Sequence, residues 1–388
     1  MSATRPAPRR IAVLTTGRQD WGIVHSTCAA IRTHPDLELV LWAGGTHLST
    51  RHGDTLRQVR ADGFEPDATF DWLVGDQDPP ADVQSADALA AVGEQLRSTP
   101  VDALVLAGDR FETAAAALAA TVDLTPIVHL HGGEQTLGAF DDALRHAVTK
   151  LSHLHLVSSE EHARRVRALG EDPASIHVVG APGLDAAFRT DLPDRAALAV
   201  SLGLDLTAPL VIVTVHPATL DADPAAAARA VASAMDVVPA TYVVTLPNTD
   251  PGAREVRDIL VAAGAGPRRV TVEALGEARY WGLLRVADAV LGNSSSALVE
   301  APVVGLPAVN VGGRQAGRQR EANVLDATAD GAAVAEALQE ALTPAFRERA
   351  AMSRPALADG RAGARIADII AAWHPSSPPT KPPIRLGS

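Results

Sequence analysis

Residues 103–112, Ala-Leu-Val-Leu-Ala-Gly-Asp-Arg-Phe-Glu, run on into Thr-Ala-Ala-Ala-Ala-Leu-Ala-Ala at 113–120, and this stretch decides the fold. A short apolar run stops at Gly-Asp-Arg and gives way to an Ala-rich amphipathic segment, which reads as strand, loop and helix. The same unit recurs along the chain. Strands are expected at 11–15, 37–42, 103–107, 127–130, 154–157 and 177–179, with a weaker one near 69–73. The second half adds 210–215, 242–246, 269–272, 289–291 and 308–311. Strands alternating with helices predict a parallel sheet, and about twelve are too many for one eight-stranded barrel. The turn-rich segment 191–209 falls near the middle. The expectation is therefore an α/β protein of two doubly wound, Rossmann-like domains facing a central cleft. Residues 1–188 would form the N-terminal domain and 189–373 the C-terminal domain. Closing helices are expected at 334–342 and 361–372, the last able to pack back on the first domain. A Pro-, Ser- and Lys-containing tail, 374–388, is expected to be disordered.

Composition narrows the function. The chain has 388 residues, 47% hydrophobic but only 3% aromatic, so its cores are built from Ala, Val and Leu. A formal charge of -12, with acids spread along the chain, argues against a nucleic-acid partner. Cys28 is the one cysteine, which leaves no disulfide framework and no Cys-based metal site. No uncharged apolar run approaches the roughly 20 residues of a membrane span, and a soluble cytoplasmic protein is expected.

Ligands of open α/β sheets bind beyond the carboxyl ends of the strands, and the polar motifs cluster there. Thr15-Thr16-Gly17-Arg18 follows the first strand and offers N-H groups and a cation to a phosphate, or is a turn with Asp20 as cap. Asp109 beside Arg110 ends the strand at 103–107, a pair able to serve substrate or only to start a helix. His129, His131, Gly132-Gly133 and Glu134 close the strand at 127–130. Strand alternation would put the two histidines on one face, with the glycines admitting a ligand. Asp141 and Arg145 then share a helix face. No HExxH or comparable spacing supports a metal site. In the second half His216 ends a strand, and Gly292-Asn293-Ser294-Ser295-Ser296 places hydroxyls and N-H groups where a helix begins. Glu300, about 7.5 Å further along a helix, suits a ribose. Arg314 adds a cation after the strand at 308–311.

Taken in order, Thr16-Gly17-Arg18, Gly108-Asp109-Arg110, Gly132-Gly133-Glu134, Asp141-Asp142, Arg145-His146-Ala147-Val148-Thr149-Lys150, Gly180-Ala181-Pro182, His216-Pro217, Gly292-Asn293-Ser294-Ser295 with Glu300, and Gly312-Gly313-Arg314-Gln315 resemble the hydrolysing UDP-N-acetylglucosamine 2-epimerases of sialic-acid and legionaminic-acid biosynthesis. The resemblance runs from Thr15 to about Arg320. It implies the GT-B-like pairing of two Rossmann lobes, a UDP-sugar partner, no metal and no cofactor. Its members commonly form dimers or larger assemblies, which implies a homodimer or homotetramer here. It further implies Ser294, Ser295 and Glu300 on diphosphate and ribose, Asn293 in the same turn, Arg18, His216 and Arg314 near the phosphates, and Asp109 and Asp141 as catalytic carboxylates. His216 would assist departure of UDP. Arg110, Glu134, Arg145 and His146, from the same segments, are expected on the sugar.

Many members carry Glu before the Gly-Gly pair, where this chain has His131. Either His131 supplies the acid/base there or the role has moved. The loop through Gln135-Thr136-Leu137-Gly138 is one residue longer than in the sialic-acid branch. The expected reaction converts UDP-N-acetylglucosamine, or a UDP-2,4-diacetamido-trideoxy sugar, to the free 2-epimer and UDP. A glycosyltransferase or a non-hydrolysing epimerase would use the same lobes.

Overall fold

Apolar β-branched runs buried on both faces can only be the inner strands of a parallel sheet, and the computed structural model shows two such sheets. It describes residues 7–53, 55–73, 78–135, 141–207, 209–218, 221–247, 252–273, 275–318, 320–355 and 357–381. The first sheet holds β1 (Arg9–Thr15), β2 (Leu37–Gly44), β3 (Ala68–Phe70), β4 (Ala103–Ala107), β5 (Ile127–Leu130), β6 (Leu154–Val157) and β7 (Ile176–Val178). Their order is β3-β2-β1-β4-β5-β6-β7, every pairing parallel. The second holds β8 (Leu210–Thr214), β9 (Thr241–Thr245), β10 (Arg269–Val272), β11 (Ala289–Gly292), β12 (Ala308–Val311) and β13 (Val324–Ala327). Its order, β10-β9-β8-β11-β12-β13, is the doubly wound 3-2-1-4-5-6 arrangement. Both sheets therefore reverse direction of growth beside their first strand, between β1 and β4 and between β8 and β11.

Alternation explains the two layers on the first sheet. Ile11 and Val13 pack with Val105, Val128 and Ile366 on one face, while Ala12 and Leu14 pack with Leu104 and Leu106 on the other. Ala115, Ala116, Ala117, Ala119 and Ala120 are all buried on helix Phe111–Asp123. Methyl side chains let that helix lie close to both the sheet and helix Ala81–Ser98. On one face of the second sheet the apolar side chains of β8, β9, β11 and β12 form one core with helices Ala226–Val237 and Gly331–Ala341.

The chain divides into one unit of Met1–Asp185 with Asp359–Ser388 and another of Ala186–Ala358. Helix Ala362–Ala372 belongs to the first unit, against helix Arg18–Thr33. Its start is capped by Asp185, which accepts from the N-H groups of Ala362 and Gly363 at 3.1 and 2.8 Å. The contact at Gly363 has no room for a side chain, because a Cβ would sit 2.5 Å from the Ser26 carbonyl. Of the tail expected to be disordered, 374–388, residues 382–388 lie outside the described residues. It is described as far as Lys381, whose ammonium meets the buried Glu171 carboxylate at 2.5 Å and the Lys150 carbonyl at 2.8 Å. Among the described residues no helix is long and apolar enough to cross a membrane.

Candidate active site

The two points of sheet reversal are where the chemistry-bearing loops emerge. In the first unit the loop after β1 carries Thr16 to Arg18 and the loop after β4 carries Gly108 to Arg110. Asp20 is not the cap of helix Arg18–Thr33; that position is Gly17. Asp20 instead reaches back from the first turn, accepting from the Thr16 N-H at 3.1 Å and from the Thr16 hydroxyl. Burial raises its pKa, opposed by Thr16 and by the charge of Arg110. Arg18 itself is exposed. Arg110 is held by Glu112, 2.7 Å from Nη2 to Oε1, and Glu112 is almost wholly buried. Asp109, half-buried, pairs with Arg145.

β5 ends at Leu130, one residue before the expected alternation could carry His131. His129 turns into the core: Nε2 lies 2.9 Å from the Gly108 carbonyl and Nδ1 lies 3.2 Å from the Thr149 hydroxyl. Burial lowers its pKa to about 3, so it stays neutral and ties β5 to β4 and to helix Asp141–Leu151. His131 takes φ +63°, a left-handed conformation uncommon for a residue with a Cβ. Its Nδ1 meets Glu134 Oε1 at 2.6 Å. Burial alone would lower the His131 pKa, but the Glu134 carboxylate reverses this and raises it. The Glu134 pKa is held well below the usual range despite its own burial, by His131, His162 and Ser158. Glu134 was expected on a sugar; its Oε1 meets His131 Nδ1 and the Ser158 hydroxyl.

The glycine pair also differs from expectation. A Cβ on Gly132 would approach His129 Nδ1 at 3.1 Å, and one on Gly133 would lie 2.4 Å from the His162 carbonyl. The space that glycine leaves is filled by protein rather than by a ligand. On helix Asp141–Leu151, Arg145 is buried and Asp141 half-buried. The Asp141 pKa is raised by burial and by the neighbouring Asp109 charge, against Arg110 and Arg145. His146 stands 3.5 Å from Asp142. Residues 136–138 of the loop expected to be longer lie outside the described residues.

In the second unit Gly292 ends β11 with φ +142°, and a Cβ there would lie 2.0 Å from the Thr214 carbonyl. Asn293, expected among the nucleotide ligands, has both amide atoms committed to the chain: Oδ1 accepts from the His216 N-H at 2.7 Å and Nδ2 donates to the His216 carbonyl at 2.8 Å. Its own carbonyl accepts from Gln315 at 2.8 Å and Arg314 at 3.3 Å. The loops after β8, β11 and β12 are thereby joined at one residue. Ser294 and Ser295 remain half-buried beside them. The expected helix is one turn, Ser296–Val299, running into the 3-10 turn Ala301–Val304, so it supplies little dipole. Burial raises the Glu300 pKa, against the Ser296 hydroxyl bond, and Glu300 Oε2 has no partner among the described residues.

Residues 29–371 match the family described as UDP-N-acetylglucosamine 2-epimerase. The chain belongs to the UDP-N-acetylglucosamine 2-epimerase family. A relative in Legionella pneumophila, named UDP-N,N'-diacetylbacillosamine 2-epimerase (hydrolyzing), is 31% identical over 86% of this chain and 89% of its own length. Another in Campylobacter jejuni, named GDP/UDP-N,N'-diacetylbacillosamine 2-epimerase (hydrolyzing), is 30% identical over 82% of this chain and 84% of its own. The fold is similar to that of the Neisseria meningitidis UDP-GlcNAc 2-epimerase solved with UDP-GlcNAc, with TM-score 0.75 at 14% identity over 94% of this chain and all of that one.

Several residues of this epimerase-family chain carry no sequence signal. His47, fully buried, contacts the hydroxyls of Thr15 at 2.9 Å and Thr55 at 2.8 Å, and its pKa is lowered to about 4 by burial and by Arg110. Tyr280 bonds to the Ser296 hydroxyl in front of Glu300, and burial and the Glu300 charge raise its pKa. Ser158 and His162 reach Glu134 from another part of the chain. Each is a single polar residue in an ordinary segment, and only its spatial neighbours mark it.

Proposed function

We propose that this chain is a hydrolysing 2-epimerase of a UDP-2-acetamido sugar, with a UDP-2,4-diacetamido-trideoxy sugar as the favoured substrate. The observation that carries the reading is the 31% identity, over 86% of the chain, to a relative named UDP-N,N'-diacetylbacillosamine 2-epimerase (hydrolyzing). The chemistry of the two reversal points supports it. One offers hydroxyls and cations suited to a leaving diphosphate, Ser294, Ser295, His216 and Arg314, with the Glu300 carboxylate suited to ribose hydroxyls. The other offers proton-handling groups, His131, Asp109 and Asp141, beside Arg110 and Arg145.

The hydrogen on C-2 is barely acidic, so its removal accompanies or follows breaking of the bond from C-1 to the diphosphate oxygen. UDP leaves with the bonding pair. A base takes the C-2 proton, and a C-1 to C-2 double bond forms. Water then adds its oxygen to C-1, and C-2 gains a proton on the opposite face. The products are UDP and the free 2-epimeric sugar. His131 is the leading base, because the Glu134 carboxylate on its ring outweighs burial, raises its proton affinity and stabilises the imidazolium formed when the ring takes a proton. The enzyme is further proposed to work in the cytoplasm as a homodimer or homotetramer, which sedimentation of the purified chain reads.

The test is turnover in deuterium oxide with each UDP-sugar and no acceptor. The released sugar is expected to be the 2-epimer with one deuterium at C-2. A nucleotide sugar returned intact, or a sugar without deuterium, overturns the proposal.

A further inference from the structure

We propose that Ser158 and His162 hold the Glu134 carboxylate so that it fixes the His131 ring, making Glu134 a positioning residue and Nε2 of His131 the atom that exchanges the C-2 proton. This deepens the epimerase reading and rests on it.

The proton inventory is determined by the contacts. The Ser158 hydroxyl donates to Glu134 Oε1 at 2.8 Å, which uses its single proton. The 2.7 Å contact between Ser158 Oγ and His162 Nδ1 is then a donation from the His162 N-H. An ionised Glu134 has only acceptors, so the 2.6 Å contact with His131 is a donation from Nδ1-H. In the neutral ring the lone pair therefore sits on Nε2. That atom is buried and has no partner among the described residues.

The backbone between the two residues is seated independently. Gly133, φ +77°, lies so close to the His162 carbonyl that no Cβ fits, and Arg165 donates to the Gly133 carbonyl at 3.2 Å. His162 and Arg165 both lie on helix Glu160–Ala168, whose first turn is capped by Ser159. One helix thus sets the loop that carries His131 and the hydroxyl that aims its carboxylate. The left-handed φ of His131 is of the kind that persists where surroundings impose it. The charged and titratable groups facing His131 are Glu134 and Asp109, which favour its protonation, and Arg145, His129 and His162, which oppose it. A carboxylate on Nδ1-H selects the tautomer and stabilises the imidazolium that forms when Nε2 takes a proton.

The test follows the His131 ring by NMR titration of the full chain, assigned with His131→Asn, alongside kcat and KM for UDP release across pH. Glu134→Gln is expected to lower the His131 pKa by about 1 to 3 units. It should lower kcat at least about a hundredfold with KM little changed. Ser158→Ala, which removes one oxygen, should shift the titration the same way by less, and Ser158→Thr should restore it. A His131 titration unmoved in both variants overturns the proposal. So does a Glu134→Gln enzyme with raised KM and intact kcat, which would put Glu134 on the sugar. The titration needs no turnover, so a chain that never releases UDP would sink the epimerase reading while leaving the positioning role measured.

Discussion

The side-chain amide of Asn293 clasps the backbone of His216 through both its atoms, Oδ1 to N-H at 2.7 Å and Nδ2 to C=O at 2.8 Å, across 77 positions of sequence. Asn293 is 1% exposed, so these bonds have no competition from water. The relationship makes Asn293 a scaffold for the loops that present His216, Ser294 and Arg314. Asn293→Ala removes both of these bonds to the half-buried His216 backbone and is expected to cost about 1 kcal/mol for each. Denaturant unfolding should show the loss, and calorimetry should show weakened UDP binding with no ligand contact removed.

Asp109→Asn and Asp141→Asn are each expected to lower turnover at least about a hundredfold, the low end for a positioned acid or base. UDP affinity should be unchanged. The charge of Asp109 helps raise the Asp141 pKa, so Asp109→Asn should also move any residual acid limb of the pH profile to lower pH. Steady-state kinetics across pH in both variants, with UDP titration calorimetry, checks all three outcomes.

Glu300 is buried, its pKa is raised, and one of its oxygens has no protein partner among the described residues. As pH falls toward the raised pKa the carboxylate protonates and loses acceptor capacity. UDP should therefore bind more weakly as pH is lowered from neutrality. In Glu300→Gln that pH dependence should be flattened and the affinity lower throughout. Calorimetric UDP titrations at several pH values give the comparison.

His47 and His129 are buried neutral, with pKa values lowered to about 4 and about 3. Above the unfolded value of about 6.5 neither state is protonated and pH has no effect through them. Below it the unfolded chain binds protons that the folded chain refuses. Stability is therefore lost as pH falls from about 6.5 to about 4, by about 1.4 kcal/mol per unit for each histidine. Denaturant unfolding through that window should show the slope, and His47→Gln should reduce it.

Much of the strand pattern was readable from the chain because inner strands of a parallel sheet are continuous apolar runs. β13 was not. Val324-Leu325-Asp326-Ala327 sits at a sheet edge, carries a charge and is only half-buried, so it lacks the signal that a buried run gives. The candidate loops were found for a related reason. Asp109, His131, His216 and Ser294 all lie within three residues of the end of an apolar run, and a polar residue near that boundary stands at the mouth of the sheet.

The sequence by itself determined the alternation of strand and helix, the doubly wound class, the family and the loops that carry the candidate chemistry. These follow from residue type and period, which are local properties of the chain. The use of each side chain was decided by tertiary structure alone. His129 became a core strut while His131, two positions on, keeps a ring nitrogen without a partner among the described residues, because β5 stops between them and Gly133 packs on a distant helix. Asn293 and Glu134 turned inward because their hydrogen-bond partners, 77 and 24 positions away, arrive only when the sheets are assembled. Burial and neighbouring charge set proton affinity, and both are properties of the space around a residue.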